Sequence, residues 1–206
     1  MKSIRVAVAA AVVGVALTAC SSPMEAGAAA VVGSERISSR ELNKNVQEYE
    51  AALRKVNIEP SQLGVSVNQF VLSRMAEQSR QQQLADKFGV QVSDAEIDAA
   101  AQDKGEQQSA EMNLLSKAVA PANPRGYLRA MLGVNKVLEK FGGSQNQQAV
   151  EKFKAEYNAI APVFSPRYGK IGQQGFVDAA RFGKPSATTE QPEQAGQAEQ
   201  QQQSQG

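Results

Sequence analysis

Apolar residues recur at steps of three and four over much of this chain, and that spacing predicts helices. Leu42, Val46, Tyr49, Leu53 and Val56 form one such stripe. It starts after Ser38, which stands three residues before Glu41. At that spacing each side chain can bond the other's backbone N–H. Pro60 and Gly64 mark a loop. A second helix follows from about Val67 to Phe88, with Phe70, Val71, Met75, Leu84 and Phe88 as apolar positions and Gly89 as its C-terminal cap. Its middle, Glu77 to Gln83, is polar all round and is expected to face solvent.

Ser93 and Glu96 repeat the capping spacing and open a third helix. Its apolar face is thin, with Ile97, Ala100 and Ala101, and it fades by Gly105. Met112-Asn113-Leu114-Leu115 begins a short helical piece that ends near Pro121. Asn123 and Pro124 are suited to the cap and first turn of a long helix. Tyr127, Leu128, Met131, Leu132, Val134, Val137, Leu138 and Phe141 line that helix, and Gly142-Gly143 stops it. A last helix, about Gln147 to Ile160, carries Val150, Phe153, Tyr157 and Ile160.

Strand signals are few. Ala30 to Ile37 places two β-prone runs around Gly33-Ser34, as in a small hairpin. Val163 to Ile171 is extended or strand-like. The fold class is therefore mainly α, a small helical domain with a short N-terminal β-hairpin and room for one C-terminal strand. From about Lys184 onward the chain is Gln, Glu, Pro, Ala and Gly without a large apolar residue, a composition that cannot bury enough surface to order itself.

The N-terminus reads differently. Lys2 and Arg5 precede an apolar run from Val6 to Leu17 that holds no acid and is shorter than the ~20 residues needed to cross a bilayer. These are the parts of a secretion signal. The run ends in Leu17-Thr18-Ala19-Cys20, which resembles the bacterial lipobox. That resemblance implies cleavage between Ala19 and Cys20, a lipid on the Cys20 thiol, and an anchor on the outer face of the cell membrane. Cys20 is the chain's single cysteine, so it cannot form an internal disulfide. The resulting organisation is a signal peptide over 1–19, a lipidated cysteine and short tether over 20–29, a helical domain over 30–183 and a tail over 184–206. The tether spans only about 30 Å at full extension.

Charge and residue inventory narrow the function. The chain has 22 basic and 21 acidic residues, and removing residues 1–19 takes away Lys2 and Arg5, leaving 20 against 21. A nucleic-acid binder would be basic. There is no histidine, which removes the usual general base, the common nucleophile pairs and most zinc sites. No glycine-rich phosphate loop is present. Asp94, Glu96 and Asp98 cluster, but acids in a first turn complement the helix dipole. Glu111, Glu139 and Glu151 stand alone. The expectation is a protein without catalysis, metal or cofactor. Met75, Met112, Leu114, Leu115, Tyr127 and Met131 are the candidates for an adaptable apolar binding surface, with ordinary core packing as the alternative for each.

Three segments carry a family resemblance. Ala30-Val31-Val32-Gly33-Ser34-Glu35-Arg36-Ile37-Ser38 is similar to the hairpin that opens SurA-type and PrsA-type chaperones. Leu84 to Ile97, with its Gly89-Val90 turn and Val92-Ser93-Asp94-Ala95-Glu96-Ile97, resembles the same family. Tyr127 to Leu132 matches its long third element. Large members follow that helix with a parvulin-type isomerase domain, whose active sites usually include histidines, and too few residues remain here for one. Short actinobacterial lipoproteins with such a domain often end in N-P-R-[YF]-G-x-W; Ser165-Pro166-Arg167-Tyr168-Gly169-Lys170-Ile171 stands in that place, with Ser for Asn and Ile for Trp. The resemblance implies a holdase for unfolded polypeptide clients that needs no ATP and does not isomerise proline, with a C-terminal helix packed back on the others and a strand pairing with the hairpin. The alternative is an adaptor for one cell-envelope protein.

Overall fold

A computed structural model describes residues 26–103, 109–172 and 175–177. The hairpin forms where Gly33-Ser34 predicts it. β1 (Ala28–Val32) and β2 (Glu35–Ser38) pair antiparallel, Val32 opposite Glu35. Gly33 takes φ 54°, the left-handed backbone that glycine adopts without a Cβ clash. Ser38 then caps α1 (Ser39–Lys55) by accepting from Glu41 N at 3.1 Å.

α2 (Val67–Lys87) follows a short 3₁₀ turn at Pro60–Leu63. α3 (Asp94–Ala101) starts from a complete capping box between Ser93 and Glu96. α4 (Ala110–Leu115) is shorter than the sequence suggests, because the chain turns at Ala118. α5 (Arg125–Phe141) begins with Pro124, not Asn123, in the cap position, and ends at Gly142. α6 is Gln147–Asn158. β3 (Pro162–Phe164) then adds to the hairpin, Val31 opposite Val163, so the sheet order is β2-β1-β3. A two-stranded piece, β4 (Ile171–Gly172) and β5 (Gly175–Phe176), closes the described chain. The domain is mainly helical with a small sheet at one end.

Four helices end by one device. Val90 N bonds Ala85 O while Gly89 N bonds Asp86 O, and the same pair of bonds recurs at Ile58, Val119 and Gly143. The residue that must turn left-handed is Asn57, Gly89, Ala118 or Gly142. In each case carbonyls left open at the helix end are satisfied.

The main core lies between the sheet, α1 and the first half of α2. Ala29, Ala30, Val32, Leu42, Tyr49, Leu53, Val71 and Leu72 are all buried there. α2 also packs against α5. That approach is so close that a Cβ on Gly133 would stand 2.9 Å from the Ala85 methyl. Ser165 to Gly169 fastens the C-terminal end. Ser165 N donates to Ala29 O at 2.9 Å, and Tyr168 OH donates to Ser39 Oγ at 3.2 Å.

The expectation of a solvent-facing middle for α2 does not hold. Ser79 is buried and Arg80 and Gln83 are half-buried. Gln83 Nε2 donates to Val32 O at 2.7 Å, and its Oε1 accepts from Ser34 N at 3.1 Å. Ser79 Oγ donates to Glu35 Oε2. Arg80 lies 3.6 Å over the Tyr157 ring, and its Nε donates to Tyr157 O at 2.8 Å. The segment is polar because it bonds the hairpin backbone and the end of α6.

Candidate functional site

α4 divides the apolar candidates between two clusters. Leu115 and Met75 belong to the main core, with Met112 packed against it from a half-buried position. Leu114 turns to the other side, into a cluster with Ile97, Val119 and Leu128, where Tyr127 and Met131 are half-buried neighbours. Met75, Leu114 and Leu115 are thus interior side chains of this conformation, whereas Met112, Tyr127 and Met131 each keep a partly open face. Val56, Ile58, Leu63 and Phe70 are half-buried around the same end of the core as Met112. The result is an apolar rim rather than an open groove. Among the described residues the exposed large apolar side chains are Val65, Val163 and Val177.

Two polar side chains hold α4 in place, and neither stands out in the sequence. Tyr49 OH donates to Leu115 O at 2.8 Å, and burial pushes the phenol up to about 12. Arg74 lies between α1, α2 and the turn after α4. It donates to Ala118 O at 3.2 Å, to Gln78 Oε1 at 2.7 Å and to Asn45 Oδ1 at 2.9 Å. Burial lowers its guanidinium to about 10, still charged at neutral pH. The sequence signal for Arg74 is its place beside Val71, Leu72 and Met75.

The acidic cluster at the start of α3 is answered by α5. Arg125 pairs with Asp98 and, at 2.7 Å, with Asp94; Arg129 reaches Asp94 at 3.5 Å. Lys136 pairs with Glu96 at 2.6 Å. The bond from Lys136, joined by those from Ser93, holds the Glu96 carboxyl at about 2. These acids hold α3 on α5 as well as facing the helix dipole. Among the described residues no group of three His, Cys, Asp or Glu is placed to hold a metal ion.

A cleft of about 240 Å³ opens between the end of α2 and α5, floored by Ala85, Val90, Val92 and Gly133 and edged by Gln82, Asp86, Gln91 and Arg129. It is smaller than the ~300–1,000 Å³ typical of small-molecule sites. Among the described residues no helix is long and apolar enough to cross a membrane. Ala19 and Cys20 lie outside the described residues, as do the leader and the tail from 184 onward.

The domain is a small antiparallel hairpin feeding a helical bundle, with half-buried apolar side chains along part of its core. The family model for the SurA-like N-terminal domain matches residues 1–112, and the chain belongs to that family. The match takes in the hairpin and α1 to α3 and stops within α4. No curated protein and no solved structure matches the chain.

Proposed function

We propose that the protein is a membrane-anchored lipoprotein that holds unfolded or newly exported polypeptides without ATP, without isomerising proline and without other catalysis. Membership of the SurA-like family is the observation that carries this reading. The rim supports it: Val56, Ile58, Leu63, Phe70 and Met112 are half-open apolar side chains around one end of the core. Flexible thioethers and aliphatic side chains repack around varied apolar partners. The work is reversible burial of client surface, which needs no acid or base. The lipobox-like Leu17-Thr18-Ala19-Cys20 supports an anchor on the outer face of the cell membrane.

Light scattering of a heat-unfolded model protein tests the holdase. The mature chain with Cys20→Ser should suppress scattering near a stoichiometric ratio, equally with and without ATP, and should not speed prolyl isomerisation of a test peptide. Met112→Lys should weaken protection while α-helical circular dichroism is retained. Unchanged scattering at several-fold excess overturns the reading. The adaptor alternative draws support from how little large apolar surface is open, with Val65, Val163 and Val177 as the exposed cases among the described residues. One tightly bound envelope protein in a crosslinked membrane, with no effect on scattering, selects it.

A further inference from the structure

α6 is lightly seated on an apolar face. Of its 12 residues only Ala149 is buried, with Val150, Phe153 and Tyr157 half-buried. Beneath it Leu84 and Val137 are fully buried and Val134 nearly so, with Phe88 and Phe141 beside them and Phe153 packed on this cluster. The two ends of α6 are held differently. At the C-terminal end Arg80 Nε donates to Tyr157 O at 2.8 Å, and the same guanidinium donates to Asn158 Oδ1 at 2.9 Å. Tyr157 OH donates to Glu77, Lys87 pairs with Glu156 at 2.6 Å, and Ile160 packs against both neighbouring clusters. The first turns have no such bonds to the rest of the domain. They rest on Ala149, Val150 and Phe153, with Lys152 4.3 Å from the centre of the Phe141 ring. The cap of α6 is its own: Asn146 Oδ1 accepts from Gln148 N at 3.0 Å and from Ala149 N at 3.2 Å. Gly142 and Gly143, at φ 125° and 84°, fold the preceding chain into a tight turn, with Asn146 N donating to Gly143 O.

Drawn out, residues 142–146 span about 17 Å. The first turns of α6 can therefore lift with their own cap, about the Arg80–Tyr157 contact as a pivot, while β3 stays paired with β1. Elements with few buried apolar contacts open at the lowest free energy. We infer that α6 is a displaceable cover, and that the face under its first turns, formed by Val134, Val137 and Phe141 of α5 with Phe88, is a client-binding surface that takes apolar client side chains in the place of Phe153. The inference deepens the holdase reading above and rests on it. It supplies what the closed domain lacks, since Val65, Val163 and Val177 are the large apolar side chains exposed among the described residues. A covered face also keeps the idle protein from associating through a large open apolar patch. A client gains the face only as α6 leaves it, so apparent affinity follows the open fraction.

The test uses the whole mature chain with Cys20→Ser and the scattering of the same heat-unfolded model protein. Phe153→Ala removes the largest apolar side chain of the first turns, and half-protection should then need about a third of the wild-type ratio. Lys152→Gln, a change at an exposed position, should shift protection the same way by less. Val46→Ala loosens the main core from α1, away from α6, and should not improve protection. A photoreactive benzoylphenylalanine in place of Phe141 should crosslink to the client, and more strongly in the Phe153→Ala background. Circular dichroism reports whether Phe153→Ala is folded; where it is not, Lys152→Gln decides. A protective wild type with no gain in the deciding variant overturns the cover and leaves the holdase standing. An equal gain from Val46→Ala overturns the cover as well, because general loosening then explains the effect. Wild type and variants that all fail to protect overturn both readings.

Discussion

Two successive stretches of α2 are held mainly by opposite means, ahead of the buried Leu84 and Ala85 that meet α5. From Val67 to Ala76 the helix buries Val67, Val71, Leu72, Met75 and Ala76 against α1 and the sheet. From Glu77 to Gln83 it has no apolar side chain, and it is fixed by Ser79, Arg80 and Gln83 bonding Glu35, Tyr157, Val32 and Ser34. The first contact is non-directional and grows with area. The second works only with each donor opposite its acceptor, because a buried polar group without a partner costs about 1–3 kcal/mol. One helix thus joins a core that tolerates repacking to a seam that specifies position.

Substitutions on either side of this boundary should separate the two. Leu72→Ala removes a fully buried side chain and should destabilise the domain by about 3 kcal/mol. In thermal unfolding followed by circular dichroism, that is a fall of roughly 10 °C. Gln83→Ala strands Val32 O, while the exposed Ser34 N turns to water, and should cost about 1–2 kcal/mol in urea unfolding. If Gln83→Leu were neutral, the seam would be apolar packing in disguise and the comparison would fail. The surface pair Glu96–Lys136 should show the smallest effect, visible through pH. Its carboxyl is held at about 2, below the ordinary value near 4.3. The stabilisation is therefore complete above pH ~4.5 and is lost as pH falls toward 2. Glu96→Gln should flatten the melting temperature across that window, lowering it slightly at neutral pH and leaving it unchanged near pH 2.

The core half of α2 was legible because its signal is local. Val71 and Met75 repeat at helical spacing, just as Ser93 and Glu96 announce a cap and Gly89 a stop. The seam was not. Gln83 finds Val32 and Ser34 in the hairpin, and Arg80 finds Tyr157 near the end of the domain, partners that no short window contains. A polar run with distant partners looks the same in sequence as a solvated face. The candidate binding residues divided for a similar reason. Residue type marks Met75, Leu114, Leu115 and Met131 alike as apolar, but depth depends on what the fold packs over each one, and only Met131 of the four is left half-buried. Arg74, an isolated charge in an apolar stretch, became interpretable only with Asn45, Gln78 and Ala118 around it. The extended segment after Pro162 was readable from its residues, while its pairing with the hairpin was implied by family resemblance and is now seen in the β1–β3 register.

That register has a consequence in time. β1 is the middle strand; one neighbour follows it at once, and the other comes only after α6. A chain made from its N-terminus has the hairpin and α1 early, yet one side of β1 keeps its backbone N–H and C=O groups open until Pro162 to Ser165 arrive. An open strand edge invites pairing with other chains. Until its last strand closes, the domain is itself the kind of exposed, incomplete chain that a holdase protects.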